Sequence, residues 1–490
     1  MKKNLFPTLW VMIVALVMSS CAKTAYKKVI PANASVVVEL DIKSVAQKAD
    51  LLGQKDAIAK LVKSLDDSEE TQGIANLIQN PMDAGFDLLS PGYFFVNGEN
   101  IEEVYLLFSV KNKDKICSLI KEKNMLQIEE DGDYAWLKAE EQVVGVVTPN
   151  LFLTSSAGEK SAMRKLLEQD KANSFFATEA GKMMADNSGD VTLMLNLASL
   201  DKDIKEQAVR ELMREGGRNV PGFENIAKSL METQTVLNLV FEKGNISLNA
   251  ITNGVQEQAD QLFSSKISPA TLEKIPAAGL VGFVAMSLDG KAYWEALLPT
   301  LEPMIAPMGD EGEKILGILG GYVQAMDGTL AVSLSGEDKY ARDPEVLALM
   351  PAPKADFDKA LDAIGEPLPE IIKVGGDDQY TSVTNMPSYT YNSVSDGFDK
   401  AKNAKASYFY AYVDAAPVCK SLRPEVEEEL DGAPAGMLNV ADNLLALPKF
   451  AELKVEEKNT ASLTLWLNDD SKNALAILLE NAIRFYQAVN

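Results

Sequence analysis

Short apolar runs of strand length alternate with amphipathic tracts of helix length along most of the chain. Val36–Leu40 and Tyr105–Val110 are predicted strands, and the tracts behind them, roughly Lys43–Leu65 and Asp114–Lys121, are predicted helices. Val143–Thr148 and Leu151–Thr154 predict a strand pair, with a helix around Lys160–Leu167. Two hairpins are expected further on. One runs Val236–Phe241, turns at Glu242–Asn245 and returns over Ile246–Thr252; the other runs Leu453–Glu456, turns at Glu457–Thr460 and returns over Ala461–Leu467. Gly244 suits a turn needing positive φ, and Asn459 is the next best residue for it. Helices Val255–Phe263 and Asn473–Ala488 should follow these hairpins. Adjacent strands with helices between them predict an α+β fold built on largely antiparallel sheets.

The pattern occurs twice. Ile30-Pro31-Ala32 opens the run ending Leu40-Asp41, and Ile275-Pro276-Ala277 opens one ending Leu288-Asp289. Val96-Asn97-Gly98-Glu99 returns as Leu334-Ser335-Gly336-Glu337, and Asp131 and Tyr134 return as Asp377 and Tyr380. Leu193 and Asn196 return as Ala411 and Asp414, and Ser247-Leu248 as Ser462-Leu463. Order is preserved throughout. The spacing falls from 245 residues at Ile30 and Ile275 to 215 at Ser247 and Ser462, which requires one contraction in the second copy. The expected organisation is therefore an internal duplication. It comprises a signal peptide at 1–20, a tether at 21–29, a first lobe at 30–268 and a shorter second lobe at 275–490.

The beginning of the chain is read as targeting rather than fold. Lys2 and Lys3 precede an apolar run from Leu5 to Met18, too short to span a bilayer, and Met18-Ser19-Ser20-Cys21 resembles a bacterial lipobox. Cys21 is the expected lipidation site and its lipid the expected membrane anchor. No Asp follows the cysteine and no acidic cluster lies beside it. By resemblance to lipoproteins that carry such signals, the expected site is the periplasmic face of the outer membrane, with the cell surface as the alternative.

Composition is that of an ordinary globular protein, 47% hydrophobic and 24% charged. The 490 residues contain no histidine, which excludes Ser-His-Asp and Cys-His nucleophiles, zincin motifs and histidine pH switches. The net charge of −24 becomes −26 once Lys2 and Lys3 are removed, and argues against nucleic acid as a partner. Cys117 and Cys419 are too few for a disulfide framework and are expected as two separate buried thiols.

Gly85-Phe86-Asp87-Leu88-Leu89-Ser90-Pro91-Gly92-Tyr93-Phe94-Phe95, with the lipobox and the Ile30-Pro31-Ala32 strand, resembles an uncharacterised Bacteroidetes family of cell-envelope lipoproteins. The resemblance implies an envelope location and supplies no catalytic or binding residues.

Candidate chemistry is sparse. Gly290-Lys291 lacks the first glycine and the Ser/Thr of a phosphate loop, and Gly317-Ile318-Leu319-Gly320-Gly321 lacks dinucleotide spacing and is read as a helix end or close packing. Ser-x-x-Lys, at Ser118–Lys121 and Ser199–Lys202, is no more frequent than composition predicts. The Asp/Gly clusters at 129–133 and 375–378 read as hairpin turns, without the ligand order of a calcium loop. No metal or cofactor is expected.

Two apolar features remain. Tyr408, Tyr410 and Tyr412 alternate along one predicted strand face, with Tyr389 and Tyr391 upstream, and form either core or a candidate ligand- or partner-facing surface. Between Leu297 and Met326, Ile315, Leu316, Leu319, Tyr322 and Val323 have helix spacing, preceded by an expected loop holding Met304 and Met308. The expected function is non-catalytic binding or scaffolding at the envelope, with an envelope protein as partner. The alternatives are a carrier of a small apolar or amphipathic ligand, in a crevice between or within the lobes, and a histidine-free hydrolase.

Overall fold

A computed structural model describes residues 25–51, 53–58, 84–122, 126–214, 223–254, 263, 265–336, 344–365, 367–391, 404–432 and 434–489. Cys21 and nearly all of the predicted helix Val255–Phe263 lie outside them. Helix and sheet are mixed, and the sheet is antiparallel. The chain forms two compact units. The first gathers the described residues up to Ile204 with Gln234–Phe241 and Leu475–Tyr486; the second takes Lys205–Thr233 and Glu242–Ala474.

The first unit opens with a 3-10 turn, Ala25–Val29, then β1 (Ala34–Leu40), α1 (Ile42–Lys48), β2 (Gly92–Asn97), β3 (Val104–Ser109) and α2 (Lys113–Glu122). Next come β4 (Gln127–Asp131), β5 (Tyr134–Ala139), β6 (Gln142–Val147), β7 (Leu151–Ser155), α3 (Lys160–Glu168), α4 (Glu179–Asp186) and β8 (Val191–Asn196). After α5 (Lys202–Leu212) and α6 (Phe223–Leu230), which fall almost wholly in the second unit, β9 (Gln234–Glu242) completes the first unit's sheet, ordered β4-β5-β6-β7-β3-β2-β1-β8-β9. Its core is built on large aromatics: Tyr26, Tyr93, Phe95, Tyr105, Trp136 and Phe175 are all buried. The Phe95 and Tyr105 rings stack with centroids 4.8 Å apart. From α3, Lys160 reaches Glu129 at 2.8 Å and Arg164 reaches Asp131 at 2.5 Å, with both cations over the Trp136 ring. Asp190 is a buried carboxylate fully occupied by the Ser44 hydroxyl (2.5 Å), Lys48 (2.9 Å) and the Phe241 N–H (2.7 Å).

In the second unit β10 (Asn245–Asn253) precedes α7 (Pro269–Leu272), β11 (Leu280–Asp289), α8 (Gly290–Ile305), α9 (Asp310–Gln324), β12 (Asp327–Ser335) and β13 (Glu345–Met350). Then come α10 (Lys354–Ile364), β14 (Lys373–Gly376), β15 (Thr381–Thr384), β16 (Phe409–Asp414), α11 (Ala415–Glu429), α12 (Ala435–Leu445), β17 (Pro448–Val455) and β18 (Thr460–Leu467). The sheet order is β14-β15-β13-β12-β11-β16-β17-β18-β10. The last helix, α13 (Ala474–Val489), packs for most of its length with the first unit. Strands hand over to helices through aspartate caps: Asp41 accepts the Ser44 N–H, Asp289 the Ala292 N–H and Asp414 the Ala416 N–H.

The expected loop around Met304 is helical instead. α8 continues to Ile305 through Pro299 and Pro303, although each proline removes a backbone hydrogen bond. The apolar spacing Trp294, Leu297, Leu298, Leu301 and Ile305 carries the helix on. Gly320 permits a close approach of α9: a Cβ there would lie 2.7 Å from the Trp294 ring. Both cysteines are free, but Cys419 is only partly buried, whereas Cys117 is enclosed by α2 packing.

Candidate ligand recess in the second unit

The turn between β14 and β15 sets the geometry. Gly376, at φ +152°, has no room for a Cβ beside the Tyr380 carbonyl. This lets Asp377 fold over the turn, where its Oδ1 accepts the N–H groups of Gln379 (2.8 Å) and Tyr380 (2.9 Å). Its Oδ2 accepts the Tyr391 hydroxyl at 2.8 Å. Lys274, just beyond α7, places its ammonium 3.9 Å from the centre of the Tyr391 ring. Thr271, on α7, donates to the Tyr380 hydroxyl at 2.8 Å, leaving the phenol's own hydrogen for another acceptor.

These groups wall a recess of about 530 Å³. Ala325, Pro351 and Pro353 supply an apolar side, and Ser268, Asp327, Asp378 and Gln379 line the remainder. Asp327 and Asp378 are exposed. Burial pushes the Asp377 carboxyl upward, but Gln379, Tyr391, Tyr380 and Lys274 outweigh it and hold the group below the usual aspartate range. Burial, and then the Asp377 charge, raise the Tyr391 phenol well above its ordinary value. The pair is therefore locked as carboxylate acceptor and phenol donor.

The five tyrosines singled out from the sequence do not come together. Tyr391 lines the recess. Tyr389, Tyr410 and Tyr412 take core places rather than surface ones. The reason is that the opposite face of β16, with Phe409, Ala411 and Val413, is the less buried one. Tyr410 donates to Glu452 at 2.8 Å, and Tyr412 packs between Phe283 and Phe450. Tyr389 buries a hydroxyl with no hydrogen-bond partner among the described residues, and burial pushes it up to about 12. Tyr408 stands apart and half-buried, its ring covered by Lys266 at 4.1 Å and Lys458 at 5.5 Å. Thr271, Lys274 and Asp327 were missed. Their one sequence signal is position: Thr271 and Lys274 lie just before Ile275-Pro276, and Asp327 just before Gly328.

The first unit has a packed corner of its own. Tyr26 stands four residues before Ile30-Pro31, as Thr271 stands four before Ile275-Pro276. There the Tyr26 hydroxyl donates to the Pro91 carbonyl at 2.6 Å, and the Tyr26 and Tyr93 rings lie 6.0 Å apart.

A family model described as a domain of unknown function, DUF4836, matches residues 26–297, more than half of the chain. The chain belongs to this family. The DUF4836 match begins at Tyr26, spans the first unit's sheet and extends through β11 into α8. No curated protein and no solved structure matches the chain. This agrees with the expectation of an uncharacterised family.

Proposed function

We propose that this DUF4836 member is a non-catalytic binding protein of the cell envelope. In this reading it is anchored by lipid on Cys21, on the periplasmic face of the outer membrane, and consists of two copies of one fold. Several observations support the duplication. The order β3-β2-β1-β8-β9 in one sheet matches β13-β12-β11-β16-β17 in the other. The pairing register slips between Ala34 and Val36, and again between Leu280 and Gly282. Gly98 donates to the Asn33 carbonyl at 3.0 Å as Gly336 donates to that of Gly279 at 2.9 Å. The second copy has no described counterpart of β6, β7 and α3 between β15 and β16, where the spacing contracts.

The observation that carries the binding reading is the Asp377–Tyr391–Lys274 group at the wall of the recess. A general acid or base works best with a pKa near the operating pH. Asp377 and Tyr391 are displaced in opposite directions away from neutrality, so the group holds and orients hydrogen bonds rather than moving protons. Asp327, Asp378 and Tyr380 around an Ala/Pro wall suit a small polar or amphipathic ligand.

Native mass spectrometry of the protein extracted from its own membranes tests this. The expected result is a lipid mass on Cys21 and a small additional mass that unfolding releases and Thr271→Tyr abolishes. A lipidated chain carrying nothing else, in both forms, would remove the ligand reading. A protein-sized addition would replace it with scaffolding.

A further inference from the structure

The polar groups around the recess divide into those already engaged and those still open. Asp377 is taken up by the turn and by Tyr391, and Thr271 gives its hydrogen to Tyr380. The Lys274 ammonium lies on the Tyr391 ring, with its charge acting on Asp377. Among the described residues, by contrast, the carboxylates of Asp327 and Asp378 take part in no hydrogen bond or ion pair. The Tyr380 hydroxyl keeps its own hydrogen, and the way to it is clear. Gly328, at φ +124°, stands beside it, and a Cβ there would lie 3.3 Å from the hydroxyl oxygen.

Asp327 and Asp378 reach the recess from different elements, the start of β12 and the β14–β15 turn. With Asp377 they outnumber Lys274 as the charges of the lining, so the open acceptors favour a donor that is itself positive. A metal ion would supply the charge. Among the described residues, however, no three carboxylates or thiols converge closely enough to hold one. The Tyr380 hydrogen calls for an oxygen, and Ala325, Pro351 and Pro353 offer contact to carbon rather than to a hydrated ion.

We infer that the recess takes a small organic amine, one that presents an ammonium to Asp327 and Asp378, a neighbouring oxygen to the Tyr380 hydroxyl and a carbon frame to the Ala/Pro side. The inference rests on the binding reading given above and narrows it to a ligand class. An amino sugar combines all three features. Glucosamine and glucose form a matched pair of probes, because they differ only in an ammonium that stands where the other has a hydroxyl.

The test titrates each sugar into the full chain, followed by saturation-transfer NMR of the ligand in low-salt buffer with the amine protonated. Glucosamine should bind about ten-fold more tightly than glucose. Asp327→Asn and Asp378→Asn, both at exposed positions, should each weaken glucosamine about three-fold. The double variant should bind the two sugars alike. Glu313→Gln, exposed and about three helical turns from Ala325 along α9, should change neither. Equal binding of the two sugars by the wild-type chain, or no binding of glucosamine, would overturn the inference. Thr271→Tyr separates that result from failure of the reading beneath it. If the two sugars bind equally and this variant abolishes both, the recess binds without selecting an amine. Glucosamine binding that survives Thr271→Tyr would place the ligand elsewhere and overturn both. If glucosamine does not bind, the mass released from the membrane-extracted chain still decides whether the recess holds a ligand.

Discussion

At the corner where Tyr26 meets Pro91, the first unit is packed solid; at the corner where Thr271 and Asp327 stand, the second is open. The contrast runs through the matching positions. Counted from the same register slip, Tyr93 pairs with Glu39 in the first unit and Ala331 with Ala285 in the second. Trp136, two residues beyond Tyr134, stands against Ser382, two beyond Tyr380. The two sheets share a run of strand order, and the second carries smaller side chains along it. Smaller side chains on a similar strand order leave room for a ligand. The second unit adds polar groups as it loses bulk: where the pairing register puts Val236 in β9, β17 carries Glu452. That carboxylate is buried, accepting Tyr410 at 2.8 Å and Trp466 at 3.1 Å and pairing with Lys454 at 2.9 Å.

The contrast can be broken from either side. Tyr26→Thr should open the filled corner and cost about 3 kcal/mol, because a buried ring and its hydroxyl bond are both lost; urea denaturation measures it. Glu452→Gln should cost about 2–3 kcal/mol, since it leaves a buried network short of one acceptor and Lys454 without its counter-charge. Thr271→Tyr should fill the recess at a cost of about 1–2 kcal/mol, because Thr271 is buried and the larger ring displaces its neighbours and its bond to Tyr380. Tyr389→Phe should move the other way. Removing a buried hydroxyl that has no partner should raise stability by about 1 kcal/mol, seen as an upward shift of the thermal midpoint.

The smallest expected effect is electrostatic. Asp377 titrates below its ordinary value of 3.8 in the folded chain. Its contribution to stability is therefore complete above that value and disappears as pH falls through the lower folded one. Tyr391→Phe should raise the Asp377 titration midpoint, visible by carbon-detected NMR of the carboxyl. An unchanged midpoint would mean that the turn N–H groups and Lys274 hold the charge without the phenol.

Local structure was readable where periodicity is strong. β1, β3, α2, α3 and the β17–β18 hairpin lie where the apolar spacing predicts them. The turn at Asp377–Tyr380 was readable from its glycines and aspartates. The recess was not, because α7, the start of β12 and the β14–β15 turn meet only after folding. Alternation showed that Tyr410 and Tyr412 share a face of β16 but not which face is inner. Both faces are apolar, so the pattern is silent on direction. The prolines in α8 misled for a related reason: a strong local breaker was overruled by the pairing of two apolar helices.

The two free thiols divide the same way as the cores. Cys117 sits on α2 in the first unit and Cys419 on α11 in the second, and burial raises both above the ordinary thiol value. Each half of the chain thus carries its own chemical clock: Cys117 reacts with an alkylating reagent only when α2 loosens, while the half-buried Cys419 reacts in the folded chain and faster when α11 loosens. A molecule seated in the recess should slow the Cys419 clock and leave the Cys117 clock running at its former rate.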